Sequence, residues 1–172
     1  GVLDGGYKTW RHAVVRSLFD EEAPLNLILI DGETGSAKTE ILQRMARHDA
    51  QAIDLEGLAA HRGSVFGADA ARAQPSQKLF ESRLFDQLRR LDPSRPVAVE
   101  AESNRIGRIN IPKRFWASMR ASPRILLRAS AAARANYLPR AYADVIEAPG
   151  AIALAIDRLK PFHAKKTIKD WQ

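Results

Sequence analysis

A chain of 172 residues suits a single α/β domain, large enough to bury about 70 per cent of the surface its unfolded form exposes. It contains no cysteine, which excludes disulfides, thiolate metal sites and thiol nucleophiles from these residues. Neither a signal-peptide pattern nor an apolar run of membrane-spanning length occurs, so the expectation is a soluble cytoplasmic protein with no membrane partner.

The formal net charge of +7 is unevenly spread. Arg105 to Arg128 holds seven basic residues and no acidic one, and Arg158 to Gln172 holds five against Asp170 alone. Such a pattern suits either a polyanionic partner or solvated helix faces.

Tyr7, Trp10, Val14 and Leu18 recur at helical spacing and predict a helix over 7–19, ended by the acidic and proline-containing stretch Asp20 to Pro24. Leu25 to Ile30 is an apolar run of strand length, and GETGSAKT follows it at Gly32 to Thr39. A strand, a glycine-containing loop and a helix in that order make a Walker A phosphate loop, because backbone N–H groups and a helix N-terminus converge on one phosphate. The phosphate-binding candidates are therefore Gly32, Thr34, Gly35, Ser36, Ala37, Lys38 and Thr39. Lys38 would reach the outer phosphate oxygens, and Thr39 would ligate Mg²⁺ or cap the helix. Two residues strain the pattern. Ala37 stands where the consensus has glycine, a penalty of about 1–2 kcal/mol if φ is positive. Glu33 would repel phosphate unless it turns to solvent.

A helix is predicted over 38–48 and a second strand over 51–55, at whose end Asp54 and Glu56 could position a metal or an attacking group, or cap a helix or loop. Residues 56–75 read as a long functional loop, in which Arg62 could contact a phosphate and His61 transfer a proton or hydrogen-bond, the alternative being two solvent-exposed loop polars. Ser76 caps a helix over 76–91, and Gln74, Ser76, Gln77 and Lys78 offer polar contacts at its N-terminus. Val97 to Glu100 is a buried strand ending in a carboxylate, the Walker B arrangement that orients Mg²⁺ with Thr39. Glu102 and Arg105 either pair or line the site. Pro112 opens a helix to about Ala121, Ile125 to Leu127 is a fourth strand, and alanine-rich helical segments complete the chain. The expected fold is thus α/β: a P-loop NTPase-like parallel sheet with helices on both faces and a helical C-terminal segment, its ligand at the carboxyl ends of the strands. Trp116, Tyr137, Tyr142 and Trp171 could stack on bases, but aromatics at helical spacing are read as core.

Several strings are similar to one family. Asp54 to Ser64 (DLEGLAAHRGS) with Phe66-Gly67, Gln74 to Glu81 (QPSQKLFE) and Val99 to Gly107 (VEAESNRIG) resemble the P-loop domain of bacterial tRNA 2-selenouridine synthases, over most of the chain. Ala37 departs from that pattern, as does Ala101, where the family usually has an acidic residue. Leu3 to Arg11 is similar to the closing segment of a rhodanese-like domain, which divides the chain into a tail and linking helix, 1–19, and a P-loop domain, 20–172.

The resemblance implies exchange of sulfur for selenium at the wobble 2-thiouridine of a tRNA anticodon. It implies an S-geranylated intermediate made from geranyl diphosphate, selenophosphate as selenium donor, and a reactive cysteine in a rhodanese-like domain supplied in cis or in trans. Lys38, Glu100, Arg62 and His61 are then the catalytic candidates, with Mg²⁺ at Thr39 and Glu100. Lys113 and Arg114, in the basic region, are the RNA-binding candidates. The alternatives are a small-molecule P-loop kinase or NTPase, and a non-catalytic tRNA-binding module.

Overall fold

The computed structural model describes residues 4–63, 67 and 73–171. Ser64 and Phe66 of the matched loop string, and Leu3 of the N-terminal one, lie outside the described residues. The four-stranded sheet is built from β1 (Leu27–Gly32), β2 (Gln51–Ile53), β3 (Val97–Glu100) and β6 (Arg124–Leu127) in the order β2-β3-β1-β6. All its pairings are parallel. A short antiparallel hairpin, β4 (Arg105–Ile106) and β5 (Ile109–Asn110), stands apart.

Strand alternation divides the core. Leu27, Leu29, Val97 and Val99 face a large cluster with Val14, Phe80, Leu84, Phe115 and Met119, whereas Ile30 and Ala98 face a small one with Leu42. The large cluster is covered by α1 (Gly6–Val15), α4 (Gln77–Leu88) and α5 (Lys113–Ala121), and the small one by α2 (Lys38–Arg47). The expected parallel sheet with helices on both faces is therefore present. Glu100 follows Ala98 in the alternation, so its carboxylate lies on the α2 side.

The boundaries differ from expectation where tertiary contacts intervene. The first helix is α-helical only to Val15 and continues as a π-helical turn, Arg16–Asp20. Its Val14 and Leu18 are fully buried, Trp10 meets Phe85 edge-on at 5.1 Å, and Arg11 pairs with Glu81. This segment therefore packs into the main core. The second strand stops at Ile53, because Asp54 caps a short helix, α3 (Leu55–Ala59), in what was expected to be loop. After β6 come α6 (Ala131–Ala141), α7 (Ala143–Glu147), α8 (Ala151–Arg158) and α9 (Lys165–Trp171). Among the described residues no helix is long and apolar enough to cross a membrane.

Candidate functional site

The carboxyl end of β1 runs directly into the glycine-rich loop, and α2 begins at Lys38. A cavity of about 540 Å³ opens there, bounded by the loop, the first turn of α2, Glu56, Arg62, Glu102 and the C-terminal part of α6. The register Ile30↔Glu100 sets the last residue of β3 beside the end of β1. Glu100 is completely buried, and the Thr39 hydroxyl donates to its Oε1 at 2.5 Å. Its Oε2 is buried with no hydrogen-bond partner, as is Ser36 Oγ in the loop. An orphaned carboxylate oxygen costs free energy unless something is bound to it.

Three carboxylates share this corner. Thr39 Oγ1 lies 3.3 Å from Glu56 Oε2, and Glu56 and Glu102 are hydrogen-bonded to each other. Burial first, then the neighbouring charges of Glu100 and Glu102, push the Glu56 carboxyl up to about 9. Burial likewise raises Glu100 to about 7, against the opposing effects of Thr39 and Lys38, and Glu102 is also raised. Gly63 makes the cluster possible: at φ 66° its backbone passes so close that a Cβ would stand 2.6 Å from Glu102 Oε2 and 2.9 Å from Glu56 Oε1. Lys38 Nζ meanwhile donates to the Gly32 carbonyl at 2.7 Å, folding the ammonium back along the loop.

Ala37 takes φ 62° and ψ 29°, the left-handed conformation that makes a Cβ unfavourable. Glu33 turns outward, 71% exposed, and pairs with Arg134 of α6 at 3.0 Å. Arg134 also donates to the Thr34 carbonyl at 3.3 Å, and α6 packs so tightly that a Cβ on Gly35 would meet Arg134 Cβ and Leu138 Cγ at 3.1 Å. Arg62 lines the cavity, ion-paired to Asp144 at 2.7 Å and stacked on the Tyr142 ring at 5.0 Å. His61 is outside the cavity lining. Its Nδ1 accepts from the Gly63 amide at 3.1 Å, and burial, then the Arg158 charge, lowers its pKa.

Other candidates are engaged within the protein. Asp54 accepts from the Gly57 amide at 2.6 Å and from Gln43 Nε2 at 3.1 Å, so it is a helix cap. Gln74 donates to the Ala59 and Ile106 carbonyls and accepts from the Arg108 amide. Gln77 bonds both the carbonyl and the amide of Asn110, at 2.8 and 2.9 Å. These two glutamines clamp the β4–β5 hairpin to the start of α4. Ser76 caps α4 through the Leu79 amide, and Lys78 is exposed on the first turn. Arg105 turns into its own hairpin, donating to the Gly107 carbonyl at 2.8 Å, so it does not pair with Glu102.

Of the two RNA-binding candidates, Arg114 is held within the protein. This side chain, 12% exposed, donates to the Ser17 and Ala23 carbonyls at 2.7 and 2.8 Å and pairs with Glu21 at 2.8 Å. It fastens α5 to the segment before β1, and Lys113 is exposed next to it. Both therefore sit at the amino end of β1, opposite the glycine-rich loop. Tyr137 and Tyr142, which their helical spacing assigned to the core, line the cavity instead, together with Arg140, which the sequence did not single out. They lie in an alanine-rich helical stretch with no motif, and the only signal is the presence of aromatic and basic residues where an apolar stripe is lacking.

Residues 25–156 match the family described as the tRNA 2-selenouridine synthase AAA domain. The chain is 37% identical over 158 residues to a tRNA 2-selenouridine synthase of Cupriavidus pinatubonensis, covering 88% of this chain and 42% of that protein. It is 38% identical over 142 residues to one of Shewanella sediminis (81% and 37%), and 38% over 124 residues to one of Nitrosomonas eutropha (70% and 31%). The chain thus spans about two fifths or less of the length of these relatives, and no solved structure matches it. Family match and strand–loop–helix geometry agree, and the chain belongs to the tRNA 2-selenouridine synthase AAA-domain family.

Proposed function

We propose that this chain is the diphosphate-handling domain of a tRNA-modifying enzyme, holding geranyl diphosphate on the loop Gly32–Thr39 while a wobble 2-thiouridine is alkylated. The observation that carries the reading is the corner of Thr39 and Glu100: a buried carboxylate with one orphaned oxygen, on the helix side of the sheet, beside the loop and Lys38. In the step proposed, the thiouridine sulfur forms a bond to C1 of the geranyl group as the C1–O bond breaks. The electron pair leaves on diphosphate, and the N3 proton of the base is released to water. Charge grows on the departing diphosphate, and the loop amides, the α2 N-terminus and Lys38 are the groups that would stabilise it.

Mg²⁺ fits these residues. Glu100 Oε2 lacks a partner and the Thr39 hydroxyl is adjacent. Among the described residues no group of three His, Cys, Asp or Glu side chains is arranged to hold a metal alone. Magnesium bound together with phosphate ordinarily takes one or two protein oxygens, its other ligands being water and phosphate. Thr39 and Glu100 would hold it, and it would supply charge neutralisation at the diphosphate.

Lys38→Ala should weaken geranyl diphosphate binding about 10-fold to 150-fold, the loss of a charge-assisted hydrogen bond. Isothermal titration with geranyl diphosphate, ATP and GTP measures this. Affinity unmoved by Lys38→Ala would place the diphosphate elsewhere, and tight binding of ATP or GTP alone would favour a nucleotide enzyme.

A further inference from the structure

If the thiouridine sulfur reacts with a diphosphate ester held at Gly32–Thr39, as proposed above, the RNA must border that loop. Lys113 and Arg114 do not. They lie at the amino end of β1, a six-residue strand whose ends are about 17 Å apart at about 3.3 Å per residue. We propose instead that the C-terminal part of α6 and its junction with α7, together with Arg62, form the surface that receives an unstacked base of single-stranded RNA.

Two arginine–tyrosine stacks build this wall. The Arg140 guanidinium lies 5.3 Å from the Tyr137 ring centre and that of Arg62 lies 5.0 Å from the Tyr142 ring centre, and all four residues line the cavity. Neither ring is core: Tyr137 and Tyr142 are half-buried, and the Arg140 side chain is 75% exposed. Aromatic rings that remain accessible beside a cationic rim are what an unstacked base and its flanking phosphates require. Arg62 adds a buried Nη1 with no hydrogen-bond partner, although its Nη2 is held by Asp144.

The rest of the wall argues against an isoprenoid chain lying here. Glu40 is hydrogen-bonded to Tyr137 and lies 3.5 Å from Arg140, so the surface carries ionic groups that an apolar tail would have to desolvate. A base tolerates them. The isoprenoid is then left to run along the loop away from α6, and the sulfur approaches from the α6 side.

The test is fluorescence anisotropy of the full chain with a labelled anticodon stem-loop carrying wobble 2-thiouridine, across a salt series, with inorganic diphosphate and ATP titrated separately. Tyr137→Leu should weaken stem-loop binding about tenfold without changing its dependence on salt, because stacking is lost but no charge is. Arg140→Gln should weaken it and reduce the slope of log affinity against log salt by about 0.7, the signature of one lost phosphate contact on a single strand. Lys113→Gln should do neither, and diphosphate affinity should hold in all three, which reports an intact fold. Should Tyr137→Leu lose diphosphate as well, Arg140→Gln decides alone. Stem-loop binding untouched by Tyr137→Leu and Arg140→Gln would overturn the inference, as would an effect of Tyr137→Leu confined to ATP. A wild-type chain that binds diphosphate but no stem-loop at any salt would overturn both the inference and the tRNA reading beneath it.

Discussion

Ala37 holds φ 62° at the turn into α2, where the Cβ costs about 1–2 kcal/mol. Ala37→Gly removes that strain but loosens the unfolded chain, so the net expectation is a gain of about 1 kcal/mol in thermal denaturation, with diphosphate affinity unchanged or improved. A loss of stability would mean that the turn is shaped by more than φ. A second residue-scale effect comes from the buried carboxyls. The folded chain holds protons on Glu100 up to about 7 and on Glu56 up to about 9, whereas an unfolded glutamate releases its proton near 4.5. The folded state therefore binds more protons over that range, and stability must fall as pH rises from 5 towards 9. Glu100 alone, displaced from 4.5 to about 7, accounts for on the order of 3 kcal/mol. Melting in a metal chelator at pH 5, 7 and 9 checks this. Glu100→Gln should flatten the fall between pH 5 and 7 and raise the melting temperature at pH 8, and a wild-type melting temperature that climbs with pH would contradict the burial.

At the scale of elements, α5 and the segment before β1 are joined by Arg114, with two carbonyls and one carboxylate around a nearly buried guanidinium. Arg114→Ala leaves those acceptors unsatisfied and should cost about 2–4 kcal/mol in chemical denaturation, while the salt dependence of RNA binding stays as in the wild type. A flattened salt slope with unaltered stability would restore Arg114 to the RNA surface. The contrast explains what the sequence made legible. The run Leu25 to Thr39, Glu100 at the end of an apolar strand and the Pro112 helix start follow local rules of period, breaker and cap, and each stands within about two residues of its expected place. What local rules cannot register is a partner far along the chain. Gln74 and Gln77 look like ligand contacts until the β4–β5 hairpin appears as their hydrogen-bond partner, and Arg114 looks like part of a basic patch until Glu21 and the Ala23 carbonyl appear. Tyr137, Arg140 and Tyr142 become site residues only because α6 folds back over Gly35, a contact spanning about a hundred residues.

The whole molecule raises the question of how the reaction is divided, since the curated relatives are more than twice as long as the part this chain matches. Alkylation of a thiolated base needs a diphosphate cradle and a surface for the base. Gly32–Thr39 with Lys38 is proposed for the first, and the α6–α7 wall for the second. Selenium exchange at the alkylated position is assigned, in the same reading, to a cysteine of a rhodanese-like domain, and these 172 residues hold no cysteine. The expected outcome is that this chain, given geranyl diphosphate, Mg²⁺ and tRNA with wobble 2-thiouridine, forms S-geranyl-2-thiouridine but no selenouridine when selenophosphate is added. Adding a rhodanese-like domain that contains its cysteine should allow the exchange, and the same domain with cysteine replaced by serine should not. Nucleoside analysis by mass spectrometry separates the three species by mass. Selenouridine formed by this cysteine-free chain alone would move the exchange chemistry into the cavity described here, where the raised carboxyls of Glu56 and Glu102 would become the groups to test for proton transfer.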